Sequence, residues 1–223
     1  MRKETVFILG GSGGMGLATA KVLLENDYKV VIAGRAKDKL ISISDQWGAK
    51  CSYAVVDATN AEELKRTLSS FSSLDHLVVA VSAKANARGI ADTSEEEAKQ
   101  AFQRFWISYN VLHLATKCLS RTGSVTLISG SSGKSPLKGY GVWGTLHGSL
   151  NALVKQASID IAPIRVNAVS PGGIGIDTDR QLAEHRGQVE DIANMILAVI
   201  SNPAVTSTVI DVDGGERMGT WSG

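Results

Sequence analysis

The sequence predicts a single α/β domain in which a parallel sheet of about seven strands is covered by helices on both faces. Three observations predict this fold. Short segments that are apolar throughout alternate with segments of helical periodicity along all 223 residues. A glycine-rich turn joins the first apolar segment to the first helix, and a second glycine-rich stretch follows the sixth apolar segment. The chain shows no internal repeat or linker, and its length fits one domain with a large core.

The predicted elements alternate from one end of the chain to the other. Strands are predicted over residues 6–9, 29–33, 51–56, 76–81, 124–128, 164–169 and 208–212. Helices are predicted over residues 17–24, 37–47, 61–71, 142–161 and 189–200, with one or two further helices within 95–119. Because parallel strands need a crossover connection, this alternation indicates strands whose carboxyl ends share one edge of the sheet. Ligands bind at that edge in open α/β sheets.

Composition limits the function classes. The 23 basic and 22 acidic residues give a net charge of +1, so no global field favours nucleic acid or an anionic membrane, and the expected partner is a small-molecule substrate in a pocket. Cys51 and Cys118 stand apart from any Cys/His cluster, so no metal site is predicted and both thiols are expected to be reduced and buried. No apolar run approaches the ~20 residues of a membrane span, and the first one is too short for a signal peptide. A cytoplasmic protein is therefore predicted.

The stretch from Val6 to Gly16 is predicted to form a strand, a tight turn and the start of a helix. Gly10 would let the chain leave the strand sharply, Gly14 would let a pyrophosphate approach the backbone, and Gly16 would let the helix pack closely on the strand. Exposed amides at the start of the helix favour an anion. The alternative is an ordinary tight turn, but the strand before it and the helix after it favour a dinucleotide. The predicted cofactor contacts here are Gly10, Ser12, Gly13, Met15 and Gly16.

The residues after the second predicted strand indicate which dinucleotide is bound. NAD-binding sheets place an acidic residue there to accept hydrogen bonds from the adenosine ribose, but this stretch has no carboxylate and carries Arg35 and Lys37. A guanidinium pairs well with a phosphate dianion, so Arg35 favours NADP(H) over NAD(H). The alternative is a solvated loop arginine. Asp57, directly after the third strand, either meets the adenine amino group or caps the helix that begins near Asn60.

Several motifs occur in an order that resembles the short-chain dehydrogenase/reductase family along nearly the whole chain. They are the glycine turn, the sequence IRVNAVSPG at 164–172, VEDIA at 189–193 and VDGG at 212–215. The resemblance implies a Rossmann-type doubly wound sheet, an adenine contact for Asp57, and a homodimer or homotetramer formed through the long helices and the last strand. It also implies cofactor contacts at Ala58, Ala80, His147, Pro171, Gly172 and Ile174.

The catalytic residues of the family are absent or displaced in this sequence. Members of the family use a tyrosine and a lysine, four residues apart at the start of the long helix, together with a serine and an asparagine. Counted back from the sixth predicted strand, the tyrosine and lysine slots fall on Trp143 and His147. The serine slot falls on Gly130, and the asparagine slot falls on Gln103 or Arg104. Because an indole cannot exchange protons near neutral pH, the sequence predicts an atypical active site.

Four residues are candidates for the missing chemistry. His147 would bind the nicotinamide ribose or act as acid or base, because an unperturbed imidazole titrates near ~6.5, and the alternative is a neutral helix histidine. Tyr140 is a candidate proton donor, although a loop tyrosine flanked by glycines is more often a lid or packing residue. Ser129 and Ser131 follow the fifth strand and would polarise a carbonyl. The predicted substrate pocket contains Arg104, Trp106 and Trp143, with a solvated arginine and core tryptophans as the alternatives.

Residues 173–188 are predicted to form a short substrate lid, which implies a pocket that is open or completed by a partner subunit. The sequence as a whole predicts an NADP(H)-binding oxidoreductase with an atypical active site that acts on a small carbonyl or unsaturated substrate. Hydride would pass between the nicotinamide and the substrate. Two alternatives stay open at this point: a non-redox enzyme such as a cyclase, isomerase or dehydratase, and a catalytically inactive NADP(H)-binding regulatory protein.

Overall fold

The computed structural model describes residues 3–71, 73–82, 86–175 and 180–218. These residues form seven strands: β1 (Thr5–Leu9), β2 (Lys29–Gly34), β3 (Cys51–Val55), β4 (Leu74–Val79), β5 (Leu119–Ile128), β6 (Arg165–Pro171) and β7 (Thr208–Val212). All neighbouring strands pair in parallel, in the order β3-β2-β1-β4-β5-β6-β7. The crossover from β3 to β4 reverses the direction in which strands are added, which confirms the predicted doubly wound, Rossmann-type sheet.

In the same residues, six α-helices connect the strands: α1 (Gly14–Glu25), α2 (Lys37–Trp47), α3 (Ala61–Ser69), α4 (Glu95–Cys118), α5 (Gly141–Asp160) and α6 (Val189–Ser201). Helix α4 is one continuous helix of 24 residues where the sequence predicted one or two. It begins at a capping box in which the Ser94 side chain accepts from the Glu97 amide and the Glu97 carboxylate accepts from the Ser94 amide. None of the helices in the described ranges is long and apolar enough to cross a membrane.

The sheet separates two helical layers. Helices α3, α4 and α5 cover one face, and α1, α2 and α6 cover the other. Along β1, Phe7 and Leu9 pack into the first layer. Val6 and Ile8 pack into the second, as the two-residue period of a strand requires. Burial of both faces explains the mainly apolar composition of the inner strands β1 and β2, whereas the edge strand β3 is largely exposed.

Strand β5 begins earlier than the sequence predicts. Its first residue is Leu119, directly after the last residue of α4, whereas the prediction starts the strand at residue 124. The register of its pairing with β4 shifts before His76 pairs with Ser124. The residues between the two starting points are polar, which hid the extension from a pattern based on apolar runs. Gly123 permits the close approach of the two strands, because a Cβ there would collide with the Asp75 carbonyl oxygen.

Two polar residues of the IRVNAVSPG motif hold the end of α6 and the start of β7. The Asn167 side chain donates to a carbonyl oxygen before β7 and accepts from the first amide of that strand. The buried Arg165 guanidinium donates to four carbonyl oxygens at and after the end of α6, at 2.8–3.1 Å, those of Val199, Ile200, Asn202 and Val205. Because the last carbonyls of a helix have no intrahelical partner, Arg165 acts as a C-terminal cap supplied from a neighbouring strand.

Replacement of Arg165 by methionine keeps most of the side-chain volume but removes every one of these donors. Because buried carbonyl groups without partners are costly, we expect Arg165→Met to lower the free energy of unfolding by about 2–4 kcal/mol. Urea denaturation followed by circular dichroism measures this loss. Arg121→Met, at an exposed position near the start of β5, is the matched control and should change stability by less than about 0.5 kcal/mol. Equal losses in the two variants would contradict the capping role.

Candidate functional site

A cleft of about 680 Å³ lies at the carboxyl ends of β1 to β4, where the strand order reverses. The turns that follow these strands form one side of the cleft, and the first half of α4 forms the other. Of the predicted cofactor residues, the cleft is lined by Gly10, Ser12, Gly13, Arg35, Asp57, Ala58 and Ala80. The structure therefore brings together the residues predicted for the adenosine and pyrophosphate half of a dinucleotide.

The glycine turn needs glycine for steric reasons at two of its three motif positions. Gly10 has a φ of +86°, and a Cβ on it would lie 2.6 Å from the Ala80 carbonyl oxygen. A Cβ on Gly16 would collide with the Gly10 carbonyl oxygen. A Cβ on Gly14, the first residue of α1, would have only an ordinary 3.9 Å contact with the Val189 side chain. No described side chain caps α1, and its first turn has no acidic residue, so its amides are available to an anion.

Arg35 and Asp57 both line the cleft. Arg35 is exposed and forms no ion pair with a described carboxylate. The Asp57 carboxylate accepts from the Thr59 amide at 3.0 Å and from the Thr59 hydroxyl at 2.8 Å, and these hydrogen bonds lower the pKa of Asp57. The residue that caps α3 is Asn60, whose side chain accepts from two backbone amides of the first turn. The capping alternative for Asp57 is therefore wrong.

The remaining predicted cofactor contacts do not line this cleft. Met15 is part of α1 and packs against the hydrophobic layer between that helix and the sheet. Pro171 ends β6, and Ile174, three residues later, packs against the same layer. A Cβ on Gly172 would lie 2.5 Å from the Glu216 carboxylate. The cleft thus joins the glycine turn to the ends of β2, β3 and β4 and does not reach the end of β6.

Helix α5 carries Trp143, His147 and Asn151 on one face, at the four-residue spacing of helical neighbours. His147 Nδ1 lies 2.9 Å from the Ser132 hydroxyl oxygen, and the rings of His147 and Trp143 lie 5.6 Å apart. The Ser129 hydroxyl donates to the side-chain oxygen of Asn151 at 2.6 Å. Sequence reasoning missed both Ser132 and Asn151, although Asn151 stands one helical turn after His147. These contacts attach the turn after β5 to α5.

Arg104 reaches the same region from α4. Its guanidinium donates to the carbonyl oxygens of Ile128 and Ser129, and its Nη1 lies 3.3 Å from His147 Nε2. Since a guanidinium can only donate, Nε2 accepts and the ring proton is on Nδ1, which faces Ser132. Burial, and then the charge of Arg104, lowers the pKa of His147 to about 3, so the imidazole is neutral at pH 7. Burial lowers the pKa of Arg104 to about 10, and the guanidinium stays charged at neutral pH.

Gly130, which the sequence places in the predicted serine slot, is part of the same arrangement. A Cβ at this position would lie 2.5 Å from His147 Nδ1, so a serine there would collide with the imidazole ring. Arg104, Gly130 and His147, three of the residues that the sequence places in or near the catalytic slots, are therefore packed against one another. Arg104 supplies a positive charge, His147 fills the space beside it, and Gly130 leaves room for the ring.

The other predicted catalytic and pocket residues lie on separate segments of the structure. Tyr140 directly precedes α5, is half-buried, and its hydroxyl forms no hydrogen bond with the described residues. Ser131 is half-buried at the start of a short 3-10 turn. Trp106 is 58% exposed on the outer face of α4 and does not line the cleft. The physical reason is that two residues turn a helix by about 200°, which directs Trp106 away from the side on which Arg104 lies.

The predicted lid, residues 173–188, is attached to the C-terminal segment, and its residues 176–179 lie outside the described ranges. The Gly173 amide donates to the buried Glu216 carboxylate at 2.6 Å, and the Arg180 guanidinium lies 3.0 Å from the other oxygen of that carboxylate. Two further amides of the lid donate to the Gly214 carbonyl oxygen. Sequence reasoning missed Glu216, and the signal that could have found it is an acidic residue directly after two glycines.

The two cysteines are free and buried, as predicted, and burial raises the pKa of each thiol to about 11. Within the described part of the chain, no group of three or more His, Cys, Asp or Glu side chains is arranged to hold a metal ion.

Comparison with known proteins adds to these observations. The family described as enoyl-(acyl carrier protein) reductase matches residues 10–216 of the chain. A short-chain dehydrogenase/reductase from Stachybotrys chlorohalonatus is 28% identical, over 96% of this chain and 97% of the relative. The solved structure of a small-chain dehydrogenase in complex with NADPH is 26% identical, with a TM-score of 0.81 over 98% of this chain and 100% of that chain.

A structure of a short-chain type dehydrogenase/reductase from Mycobacterium ulcerans shares the fold, with a TM-score of 0.89 at 24% identity over 98% of this chain and 91% of that chain. The sheet order, the cleft at its carboxyl edge and the sequence motifs agree with these matches. The chain belongs to the short-chain dehydrogenase/reductase family.

Proposed function

We propose that the protein is an NADP(H)-dependent oxidoreductase with an atypical active site that acts on a small carbonyl or unsaturated substrate. The observation that carries this proposal is Arg35, a cation that lines the cleft after β2, where NAD-binding proteins place a carboxylate. The guanidinium is exposed and forms no ion pair with a described carboxylate. It is therefore available to the 2′-phosphate that distinguishes NADP(H) from NAD(H).

The rest of the cleft supports the same cofactor. The uncapped amides at the start of α1 would bind the pyrophosphate. The Asp57 carboxylate would accept from the adenine amino group, and its hydrogen bonds to Thr59 favour the charged form that this contact needs. A relative of 26% identity is described as a complex with NADPH. Together these features support binding of the whole dinucleotide along the carboxyl edge of the sheet.

The bound nicotinamide would supply or accept a hydride, and residues of this chain would hold the substrate and move a proton. Ser131 and Tyr140 are the candidate proton donors, because their hydroxyl groups form no hydrogen bond with the described residues. The Ser129 hydroxyl already donates to Asn151, which leaves it an acceptor for a substrate hydroxyl. His147 is neutral at pH 7, so it would accept or relay a proton and would not donate one as an imidazolium.

A second candidate function is favoured by the same region. Trp143 cannot exchange a proton, and His147 is held neutral, so the tyrosine and lysine slots carry no acid for carbonyl reduction. A protein of this kind would bind NADP(H) without hydride transfer. It would then be a regulatory protein or a non-redox enzyme such as a cyclase, isomerase or dehydratase.

We further propose a cytoplasmic homodimer or homotetramer that associates through the long helices and β7. Trp106 and Tyr109 are 58% and 46% exposed on α4, and their rings lie 6.1 Å apart. Aromatic side chains are enriched in protein interfaces, which supports association through this helix. The two free thiols, with no disulfide among the described residues, fit the reducing environment of the cytoplasm.

Replacement of Arg35 by leucine removes the proposed partner of the 2′-phosphate. NADH lacks this phosphate, so the replacement removes no proposed contact with NADH. We expect Arg35→Leu to weaken NADPH binding about 10- to 100-fold, because this loss of affinity corresponds to the free energy of a charge-assisted hydrogen bond. The affinity for NADH should change by less than about twofold. Titration of nicotinamide fluorescence measures both affinities. Lys39→Leu removes an exposed cation of α2 outside the cleft and is the matched control. Equal affinities of the wild-type protein for NADPH and NADH would overturn the proposed cofactor preference.

The protonation state of His147 is directly measurable. Because burial and the charge of Arg104 lower its pKa to about 3, the ring should stay neutral throughout the range from about pH 5 to 8. Proton NMR of the imidazole resonances, assigned with a His147→Asn variant, should show no titration of this ring in that range, whereas free N-acetylhistidine titrates there. A midpoint inside the range would restore His147 as a candidate general acid.

Consumption of NADPH separates the two candidate functions. An oxidoreductase should oxidise NADPH in the presence of at least one compound from a panel of small aldehydes, ketones and enones, and His147→Asn should lower that rate because the polar contacts at the end of β5 are lost. Absorbance of reduced nicotinamide follows the reaction. Tight NADPH binding with no oxidation by any member of the panel would favour the regulatory or non-redox function.

A further inference from the structure

Arg104 is a buried cation without a described anionic partner. Arg104 is only 8% exposed. Its guanidinium contacts two carbonyl oxygens and the neutral imidazole of His147. It forms no ion pair with a described carboxylate. A buried charge is costly unless it is paired, because burial removes the water that would otherwise solvate it. The arrangement around Arg104 therefore lacks a negative group.

Two of the hydrogen-bond donors of Arg104 have no described partner. A guanidinium carries five N–H groups, and three are used by the contacts with Ile128, Ser129 and His147. The two that are left are the N–H of Nε and one N–H of Nη1. Nε is not among the fully buried atoms that lack a partner, so it is exposed to solvent, and Arg104 is one of the residues that line the cleft. A ligand in the cleft can therefore reach it.

The charged groups nearest to the cleft do not neutralise Arg104. Glu96 stands on the same helix about 12 Å earlier along its axis, and its carboxylate accepts from Gln100. The Asp57 carboxylate is held by Thr59 after β3. The Arg104 guanidinium contacts the end of β5, three strand spacings or about 14 Å from the end of β2, where the Arg35 cation lies. The cleft thus has two separate cationic positions.

We propose that Arg104 binds a carboxylate group of the substrate, so that the substrates of this protein are small carboxylic acids. A single positive charge with one exposed donor, the N–H of Nε, matches a carboxylate group better than a phosphate group, which needs more donors. The distance from Arg35 keeps this group apart from the phosphate of the cofactor. The identity of the substrate rests on the proposed oxidoreductase function, whereas the carboxylate site itself rests only on Arg104 and the cleft.

Oxalate and its neutral isostere oxamide test the site in the wild-type protein. Isothermal titration calorimetry, with and without saturating NADPH, should show that oxalate binds at least about tenfold more tightly than oxamide, because only oxalate forms charge-assisted hydrogen bonds. Nitrogen-15 NMR should show a shift of His147 Nε2 on addition of oxalate, since Arg104 contacts this atom. Both measurements use the unaltered chain and do not depend on the folding of a variant.

Variants assign the site to Arg104. Arg104→Met should lower the oxalate affinity about tenfold or more, and Arg104→Lys, which keeps the charge, should retain part of it. Arg121→Met, the exposed arginine on β5, should bind oxalate as the wild-type protein does. The proposal is overturned by equal affinities for oxalate and oxamide, by no oxalate binding, or by unchanged binding in a folded Arg104→Met protein. Failure to bind NADPH while oxalate binds would count against the proposed cofactor alone.

Discussion

Burial of the sheet on both faces is the constraint on which the rest of the structure depends. Side chains such as Phe7 and Val6 pack into opposite hydrophobic layers. Polar side chains that bind a ligand are therefore expected at the ends of the strands, where the chain reaches the surface. Because all strands are parallel, these ends lie on one edge. The turn at Gly10, the cation at Arg35 and the carboxylate at Asp57 meet there in one cleft. The position of this cleft is therefore a consequence of the sheet topology.

At the end of β5, residues of three segments fit against one another. The imidazole of His147 occupies the space that a side chain at Gly130 would need, and the positive charge beside it comes from Arg104 on α4. Because that charge also contributes to the low pKa of His147, the region carries a fixed positive charge and a neutral ring at pH 7. Such an arrangement is better suited to binding an anionic group than to donating a proton. The charge and the neutral ring therefore support a role of this region in binding and give no support to a role as a proton donor.

Motif residues shared with the family also have structural roles. Arg165 caps the end of α6, and Asn167 joins β6 to the start of β7. Asp213 accepts from the Gly215 and Arg217 amides and from the Arg217 side chain. None of these contacts involves the cleft, so these motifs identify the fold without identifying the reaction.

The sequence by itself determined the order of elements, the class of the sheet and which strand-end residues line the cleft, because periodicity, glycine turns and strand-end residues are local features. The sequence did not predict the first part of β5, since residues 120–123 are not apolar and a pattern of apolar runs cannot detect them. Only the tertiary structure decided that Arg104 meets His147, 43 residues away in the chain, and that Trp106 faces outward. These facts depend on how α4 and α5 pack against the end of β5. Contacts between distant segments arise from packing, which no local pattern encodes.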